Sequence, residues 1–136
     1  MPTLRCLIDS MVFDAVAADR ELLALVDRLT RRRALELLAA AETMEEIAAV
    51  ADLEHRRQLQ RVRVLVVPPA NGDARRLVAH RGVSDEDARI ALAAAREGVP
   101  LVTEDRDLRE AIVLHLPEVV PWAFADDLLP RLAALG

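Results

Sequence analysis

Residues 84–105 read SDEDARIALAAAREGVPLVTED, and this stretch indicates the fold class more clearly than any other part of the chain. Ser84 to Glu97 has the apolar spacing of an amphipathic helix, and Gly98 is a typical helix stop. The next residues, VPLVT (99–103), have the composition of a buried strand. A helix followed by a buried strand is typical of a βαβ unit, so we expect a parallel sheet.

The same alternation of apolar strands and helical segments extends outward from this stretch. Helices are also expected at about 12–29, 43–59, 74–80 and 104–114 and in FADDLLPRLAAL, and strands at 4–8, 61–69 and 119–122. Residues 34–40 fit either type, and a short strand is favoured. The order predicts an α/β fold with three α/β/α layers and a central parallel sheet of four or five short strands. The whole chain, 1–136, is expected to form a single domain.

The composition excludes several kinds of chemistry. All 18 basic residues are arginines, so the chain has no lysine for a P-loop, a Schiff base or a response-regulator receiver. Cys6 lies in an apolar run and is expected to be a buried hydrophobe, and the three scattered histidines do not suggest a zinc site. The start of the chain does not resemble a signal peptide, and no apolar run is long enough for a membrane span. A cytoplasmic location without membrane contact is therefore expected.

Two aspartates directly follow predicted strands. Asp9 comes after LRCLI, and Asp105 comes one residue after VPLVT. The carboxyl ends of parallel strands share one edge of the sheet, where α/β proteins place their functional groups, so these carboxylates are expected at the same edge. An aspartate at a helix start also stabilises the helix dipole, which is the alternative explanation.

Asp87 and Glu46 each stand three residues after a potential N-cap, Ser84 and Thr43, respectively. This is capping-box spacing, and the pattern alone favours capping over a functional role. Asp87 aligns with alanines on its helix, and Glu46 borders the predicted apolar stripe, which favours them over the neighbouring Asp85 and Glu45 as functional acids. Glu42 or Glu45 could replace Glu46.

Several carboxylates in one cleft raise one another's pKa unless a cation neutralises them. Mg²⁺ accepts oxygen ligands, so the acids suggest metal-assisted hydrolysis of a phosphate ester. This chemistry needs no lysine, histidine or cysteine. The hypothesis does not depend on any relative of the chain.

The segments LIDSMVF, TMEEI, DARIALAAA and GVPLVTEDRDL, in this order, resemble the PIN domain family and within it the VapC-type toxins. The resemblance runs from about Leu7 to Trp122. Its most specific part is the C-terminal pair of motifs, and the others are short. Carried over position by position, it assigns four catalytic acids: Asp9, Glu46, Asp87 and Asp105. The resemblance also assigns supporting roles to Ser10, Thr103 and Asp107.

The resemblance implies cleavage of RNA by an endoribonuclease that depends on Mg²⁺ or Mn²⁺, held by Asp9, Asp87 and Asp105 with Glu46 acting through a water. It also implies a homodimer and, for a toxin of a type II pair, a cognate antitoxin that blocks the site. The substrate would be tRNA, rRNA or mRNA. Candidate contacts with the RNA backbone are the arginines of two short clusters: Arg31, Arg32, Arg33, Arg75 and Arg76. A solvated helix face is the alternative explanation for each cluster.

Three other functions remain open on the sequence. The chain could be an inactive PIN-like binding module, or a nuclease that processes RNA without toxicity. A phosphotransfer or phosphatase domain with Asp9 as nucleophile is disfavoured. Receivers need a lysine, and such phosphatases commonly carry a second aspartate where this chain has Met11. The net charge of −5 argues against RNA binding by bulk electrostatics alone.

Overall fold

Strands and helices alternate along residues 2–136, the part of the chain that the computed structural model describes. The strands are β1 (Leu4–Ile8), β2 (Leu35–Ala40), β3 (Leu65–Val67), β4 (Leu101–Val102) and β5 (Pro121–Trp122). The helices are α1 (Ser10–Ala18), α2 (Arg20–Arg31), α3 (Ala41–Ala48), α4 (Leu53–Leu59), α5 (Arg75–Ala79), α6 (Asp85–Glu97), α7 (Arg106–His115) and α8 (Leu129–Leu135). A π-helical turn, Phe124–Leu128, leads into α8.

The five strands form one sheet in the order β3-β2-β1-β4-β5, and every neighbouring pair is parallel. The predicted α/β class and parallel sheet are confirmed. The strand order reverses direction between β1 and β4, because the chain first builds outward through β2 and β3 and then returns to the other side of β1. A cleft forms at the carboxyl end of such a switch point, and ligands of open α/β sheets bind there.

Alternate residues of the central strands face two separate hydrophobic cores. Leu7 and Leu101 belong to the core formed with α5, α6 and α7, whereas Ile8 and Val102 belong to the core formed with α1, α2, α3 and α8. Side chains of a strand point to opposite faces in turn, so a sheet that buries both sets must be covered on both faces. This gives the three expected layers. Within residues 2–136, no helix has the length and apolar character needed to cross a membrane.

Two long helices that the periodicity predicted are each divided in two. The helix expected at 12–29 is broken at Asp19, whose carboxylate accepts a hydrogen bond from the Leu22 amide (3.1 Å) and so starts α2. The helix expected at 43–59 is broken before Asp52, which caps α4 in the same way. Apolar spacing continues across both breaks, so the single-helix predictions were wrong. The local capping bonds determine where each helix begins.

The start of α3 also differs from its prediction. The helix begins at Ala41, so Thr43 lies inside it and does not act as its N-cap. The Thr43 side chain is fully buried, and its hydroxyl oxygen has no hydrogen-bond partner. Glu46 consequently lies in the second turn of the helix and is exposed, whereas Glu42, in the first turn, is half-buried. The capping explanation for Glu46 is therefore wrong, and so is its expected position beside the buried stripe.

Candidate active site

Asp9 and Asp105 occupy equivalent positions at the carboxyl ends of β1 and β4. Each is the N-cap of the next helix: Asp9 Oδ1 accepts a hydrogen bond from the Val12 amide (3.3 Å), and Asp105 Oδ1 accepts one from the Leu108 amide (3.1 Å). The Asp9 amide donates to the carbonyl of Val102 (3.3 Å), so the two strand ends are tied together. The strands flank the switch point of the sheet, and the two carboxylates lie at its carboxyl edge.

Thr103 connects these two acids. Its side chain is fully buried, and its hydroxyl oxygen accepts a hydrogen bond from the Asp105 amide (3.1 Å). The Thr103 side chain also lies near enough to the Asp9 carboxylate to favour its ionised form, which lowers the pKa of Asp9. Thr103 therefore binds the Asp105 backbone and influences the ionisation of Asp9, and its supporting role in the site stays a prediction.

Burial raises the pKa of Asp9 above its ordinary value, and the negative charge of Asp87 raises this pKa further. Asp87 lies in the first turn of α6, where the Ser84 hydroxyl caps the helix by accepting a hydrogen bond from the Asp87 amide (3.0 Å). Only the Asp87 backbone takes part in this bond. The predicted capping role of Ser84 is confirmed, and Asp87 remains half-buried with its charge close enough to influence Asp9.

A second group of acids joins Asp87 on its other side. The pKa of Glu86 is raised, first by burial and then by the charges of Glu46, Asp87 and Glu42. The Oε1 atom of Glu42 is buried and has no hydrogen-bond partner. A cavity of about 420 Å³ opens between α3 and α6, and its lining residues are Glu42, Glu45, Glu46, Asp85, Glu86 and Arg89. Glu42 was expected as a possible replacement for Glu46, whereas no pattern in the sequence distinguishes Glu86 from its acidic neighbours in the first turn of α6.

The acids thus form a row along the carboxyl edge, from β4 past β1 to α3. We call this the acidic row; its members are Asp105, Asp9, Asp87, Glu86, Glu46 and Glu42. Within residues 2–136, no three histidine, cysteine, aspartate or glutamate side chains are arranged closely enough to hold a metal ion. The row nevertheless suits a hard cation chemically, because its ligands are carboxylates, two of them have raised pKa values, and Glu42 Oε1 lacks a partner.

The remaining predicted supporting residues lie close to the row but differ in their contacts. Ser10 is the first residue of α1 and is half-buried. Asp107, in the first turn of α7, packs against Gly82, so closely that a Cβ atom on this glycine would be 2.0 Å from Asp107 Oδ2. Asp107 therefore contacts the turn before α6. Cys6 is fully buried, as predicted, and burial raises the pKa of its thiol to about 12.

The two predicted arginine clusters lie at opposite edges of the sheet. Arg31, Arg32 and Arg33 precede β2 and lie at the amino edge, about 13 Å from the acidic row if β1 is extended over its length. Arg75 and Arg76 begin α5 after β3, on the side of the carboxyl edge. Arg75 forms a salt bridge with Asp73 (2.9 Å) and lowers the pKa of that carboxyl to about 2. Contact of either cluster with RNA remains a prediction.

A parallel sheet in this order, covered by helices on both faces and carrying acids at its switch point, defines an α/β domain of the PIN-like type. Solved structures with this fold resemble the chain over most of its length. PAE2754 from Pyrobaculum aerophilum is similar with a TM-score of 0.65 and 23% identity, over 96% of each chain.

Two VapBC structures are also similar to the chain. VapBC2 from Rickettsia felis, bound to a DNA fragment from their promoter, has a TM-score of 0.61 and 11% identity, over 88% of this chain and 98% of that one. VapBC-1 from nontypeable Haemophilus influenzae has a TM-score of 0.60 and 14% identity, over 90% of this chain and 100% of that one. No protein-family model matches the sequence, and no curated protein matches it. The structural similarities establish the fold.

Proposed function

We propose that the chain is a metal-dependent endoribonuclease of the VapC type, the toxin of a type II toxin–antitoxin pair. The observation that carries the proposal is the arrangement of Asp9 and Asp105 as paired N-caps at the switch point, with Asp87 close enough to raise the pKa of Asp9. The sequence motifs that resemble the VapC branch contain all three of these acids. The fold shared with PAE2754 and the VapBC structures supports the same assignment.

Asp9, Asp87 and Asp105 would hold Mg²⁺ or Mn²⁺, with Glu46 or Glu42 beside them. The bound ion would supply Lewis-acid chemistry, by lowering the pKa of a water and neutralising charge on the phosphodiester. The chain would supply the placement of the carboxylates that hold the ion. The cap bonds hold Asp9 Oδ1 and Asp105 Oδ1 at the strand ends, and the bond from the Asp9 amide to the Val102 carbonyl joins the two strand ends. Such preorganised ligands need little rearrangement when charge develops on the substrate.

The test compares Asp9→Asn and Asp87→Asn with the wild type. Asparagine is as good an N-cap as aspartate, so Asp9→Asn should keep α1 intact while it removes the charge. We expect either variant to cut RNA about 100-fold more slowly or worse with Mn²⁺. Mn²⁺ binding, measured without RNA by water-proton relaxation, should weaken in parallel. Wild-type protein that neither binds Mn²⁺ nor cuts RNA would refute the enzyme assignment.

Asp85→Asn is the matched control for Asp87→Asn. Both residues are in the first turn of α6, but Asp85 is exposed and lies 4.0 Å from the Arg89 Nε atom. The control removes the same charge from the same turn without altering the neighbour of Asp9. Its RNA cleavage and Mn²⁺ binding should stay close to wild-type values. If Asp85→Asn lost as much RNA cleavage and Mn²⁺ binding as Asp87→Asn, only the total negative charge of this turn would matter for the activity.

A catalytically inactive PIN-like binding module is the second candidate. It is favoured by the spacing of the acids, since no three side chains in the described part of the chain converge to hold a metal, and Glu46 is exposed. RNA binding that is identical in the wild type, Asp9→Asn and Asp87→Asn, without cleavage in any of them, would support this candidate. Sequencing of the RNA ends produced by the wild type but not by Asp9→Asn would identify the substrate among tRNA, rRNA and mRNA.

The proposal includes a cognate antitoxin and a homodimer. The antitoxin is suggested by the VapBC names of two structures that share the fold. The homodimer rests on the resemblance of the sequence to the VapC branch. Co-expression with a candidate antitoxin should yield a complex in which RNA cleavage is suppressed. Light scattering of the purified chain would determine its oligomeric state.

A further inference from the structure

Arg33 has an unusual backbone conformation at the end of α2. Its φ angle is +60°, and it is the only residue other than glycine with a positive φ in residues 2–136. The Arg33 amide donates to the Thr30 carbonyl (3.1 Å), and the Ala34 amide donates to the Leu29 carbonyl (3.0 Å). These two bonds define a Schellman motif with Arg33 at the C′ position, where glycine is strongly preferred. A side chain at this position strains the backbone, so its presence calls for an explanation.

The surrounding residues hold this turn in place. The Thr3 hydroxyl donates a hydrogen bond to the Arg33 carbonyl (2.8 Å), and the Leu4 amide donates to the Ala34 carbonyl (2.9 Å). The helix dipole does not explain Arg33, because Arg28 and Arg31 already place positive charge in the last turn of α2. Within residues 2–136, the Arg33 guanidinium forms no hydrogen bond or salt bridge.

Arg33 lines a cavity of about 600 Å³ at the amino edge of the sheet. The cavity exists because β3 pairs with only the second half of β2, from Leu38 onward. The residues before β3 diverge from β2, and Arg63 in this segment lines the cavity opposite the start of β2. The cavity is therefore open on the side where the sheet lacks a paired strand.

Positive charge exceeds negative charge around this cavity. Glu36 is paired with Arg5 (2.8 Å), while Asp27 is shared between Arg31 (3.0 Å) and Arg63 (2.9 Å). The cavity itself is lined by two arginines, Arg33 and Arg63, and by one acid, Glu36, whose charge Arg5 already neutralises. In a chain with a net charge of −5, such a local excess is notable. The Nε atom of Arg63 contacts Asp27, which leaves its terminal nitrogens available to a ligand.

We propose that this cavity is a phosphate-binding site, separate from the acidic row, in which Arg33 and Arg63 hold a phosphate mono- or diester. The guanidinium fork matches phosphate oxygens with two parallel hydrogen bonds. The strain at Arg33 is then the consequence of placing a donor at the rim of the cavity. The site lies about 13 Å from Asp9, the length of β1, so it holds a group other than the phosphate at the acidic row.

Inorganic phosphate is the first probe. We expect it to shift the NMR signals of the Arg33 and Arg63 Nε–H groups in a saturable way in the wild type. Arg33→Asn should weaken phosphate binding about tenfold or more, because a charged hydrogen bond is lost. Asparagine tolerates the left-handed conformation, so the turn should be retained. Arg33→Gly should lose phosphate binding too while keeping an equal or higher melting temperature, which separates loss of binding from loss of folding.

Arg32→Asn is the matched control, because it makes the same change and removes the same charge one residue away. Arg32 has an ordinary helical φ of −79° and does not line the cavity. It should bind phosphate within about twofold of the wild type. Equal losses in Arg32→Asn and Arg33→Asn, or no shift of the Arg33 and Arg63 signals with phosphate, would overturn the proposal.

A hairpin RNA in EDTA distinguishes the two sources of the phosphate. If the RNA shifts the Arg33 and Arg63 signals at lower concentrations than inorganic phosphate, the site holds the RNA backbone. If only inorganic phosphate shifts them, the site holds a free phosphate group. Either result supports the site. The metal-free conditions make the outcome independent of nuclease activity.

Discussion

Replacement of Gly82 by alanine tests the contact between the turn before α6 and the start of α7. A Cβ atom at this position would be 2.0 Å from Asp107 Oδ2, 2.6 Å from its Cγ and 2.9 Å from its Cβ. Rotation of the Asp107 side chain can relieve the first two clashes. It cannot relieve the third, because Cβ is fixed to the α7 backbone. The first turn of α7 must therefore move relative to the turn at Gly82.

The expected destabilisation has two sources. Overpacking of a well-packed contact typically costs about 1–3 kcal/mol. The backbone adds roughly 1–2 kcal/mol, because the φ of Gly82 is +85° and alanine is strained there. The sum is about 2–5 kcal/mol, which corresponds to a melting temperature lowered by roughly 8–20 °C in a chain of this size. The variant should also weaken Mn²⁺ binding, because Asp87 and Asp105 are carried by the two segments that separate.

Gly98→Ala is the control for the backbone contribution. Gly98 also has a positive φ, +67°, but no atom lies within 4 Å of a Cβ added there. Thermal unfolding should therefore show a loss of only about 1–2 kcal/mol. In the double variant Gly82→Ala/Asp107→Ala, the two shortest clashes are absent and part of the stability should return. Equal destabilisation by Gly82→Ala and Gly98→Ala would refute the packing of Asp107 on Gly82.

Two further predictions follow from pKa values raised by burial. A carboxyl with a raised pKa is destabilised by ionisation in the folded state, so stability falls as the pH rises from 3.8 through the folded pKa of Asp9. Asp9→Asn should therefore have a higher free energy of unfolding than the wild type at neutral pH, as measured by urea unfolding. The difference between the two proteins should become smaller as the pH falls toward 3.8. A variant that is less stable than the wild type at neutral pH would contradict the prediction. The buried Cys6 thiol, with a pKa of about 12, should react with a disulfide reagent only after unfolding, and rapid reaction of the native protein would contradict its burial.

The sequence predicted the layers and the sheet because the apolar pattern is strong where strands are buried on both faces. Residues 84–105 became α6 and β4 as expected, with Gly98 in the left-handed conformation at the helix end. Helix boundaries were less predictable. Asp19 and Asp52 each interrupt a continuous apolar stripe, because a side-chain bond to a backbone amide can start a new helix without any change in periodicity.

The candidate site was predictable to different degrees for similar reasons. Asp9 and Asp105 follow strands, so the topology alone brings them to one edge. Asp87 was correctly distinguished from Asp85 by helical face, and the structure shows it half-buried. The position of Glu46 could not be predicted reliably, because α3 ends at Ala48 and the apolar stripe beyond it belongs to a separate segment of the chain.

Asp107 contacts Gly82 and is not a member of the acidic row. Asp107 is the last acid of the GVPLVTEDRDL segment, and the resemblance gives it a supporting role. Its carboxylate packs on the turn that leads into α6, where Ser84 then caps the helix that carries Asp87. Asp105, two residues before Asp107, caps the helix on the other side of this contact. Asp107 therefore packs between the segments that carry two acids of the row, and we expect its replacement to affect a bound metal only through the positions of those segments.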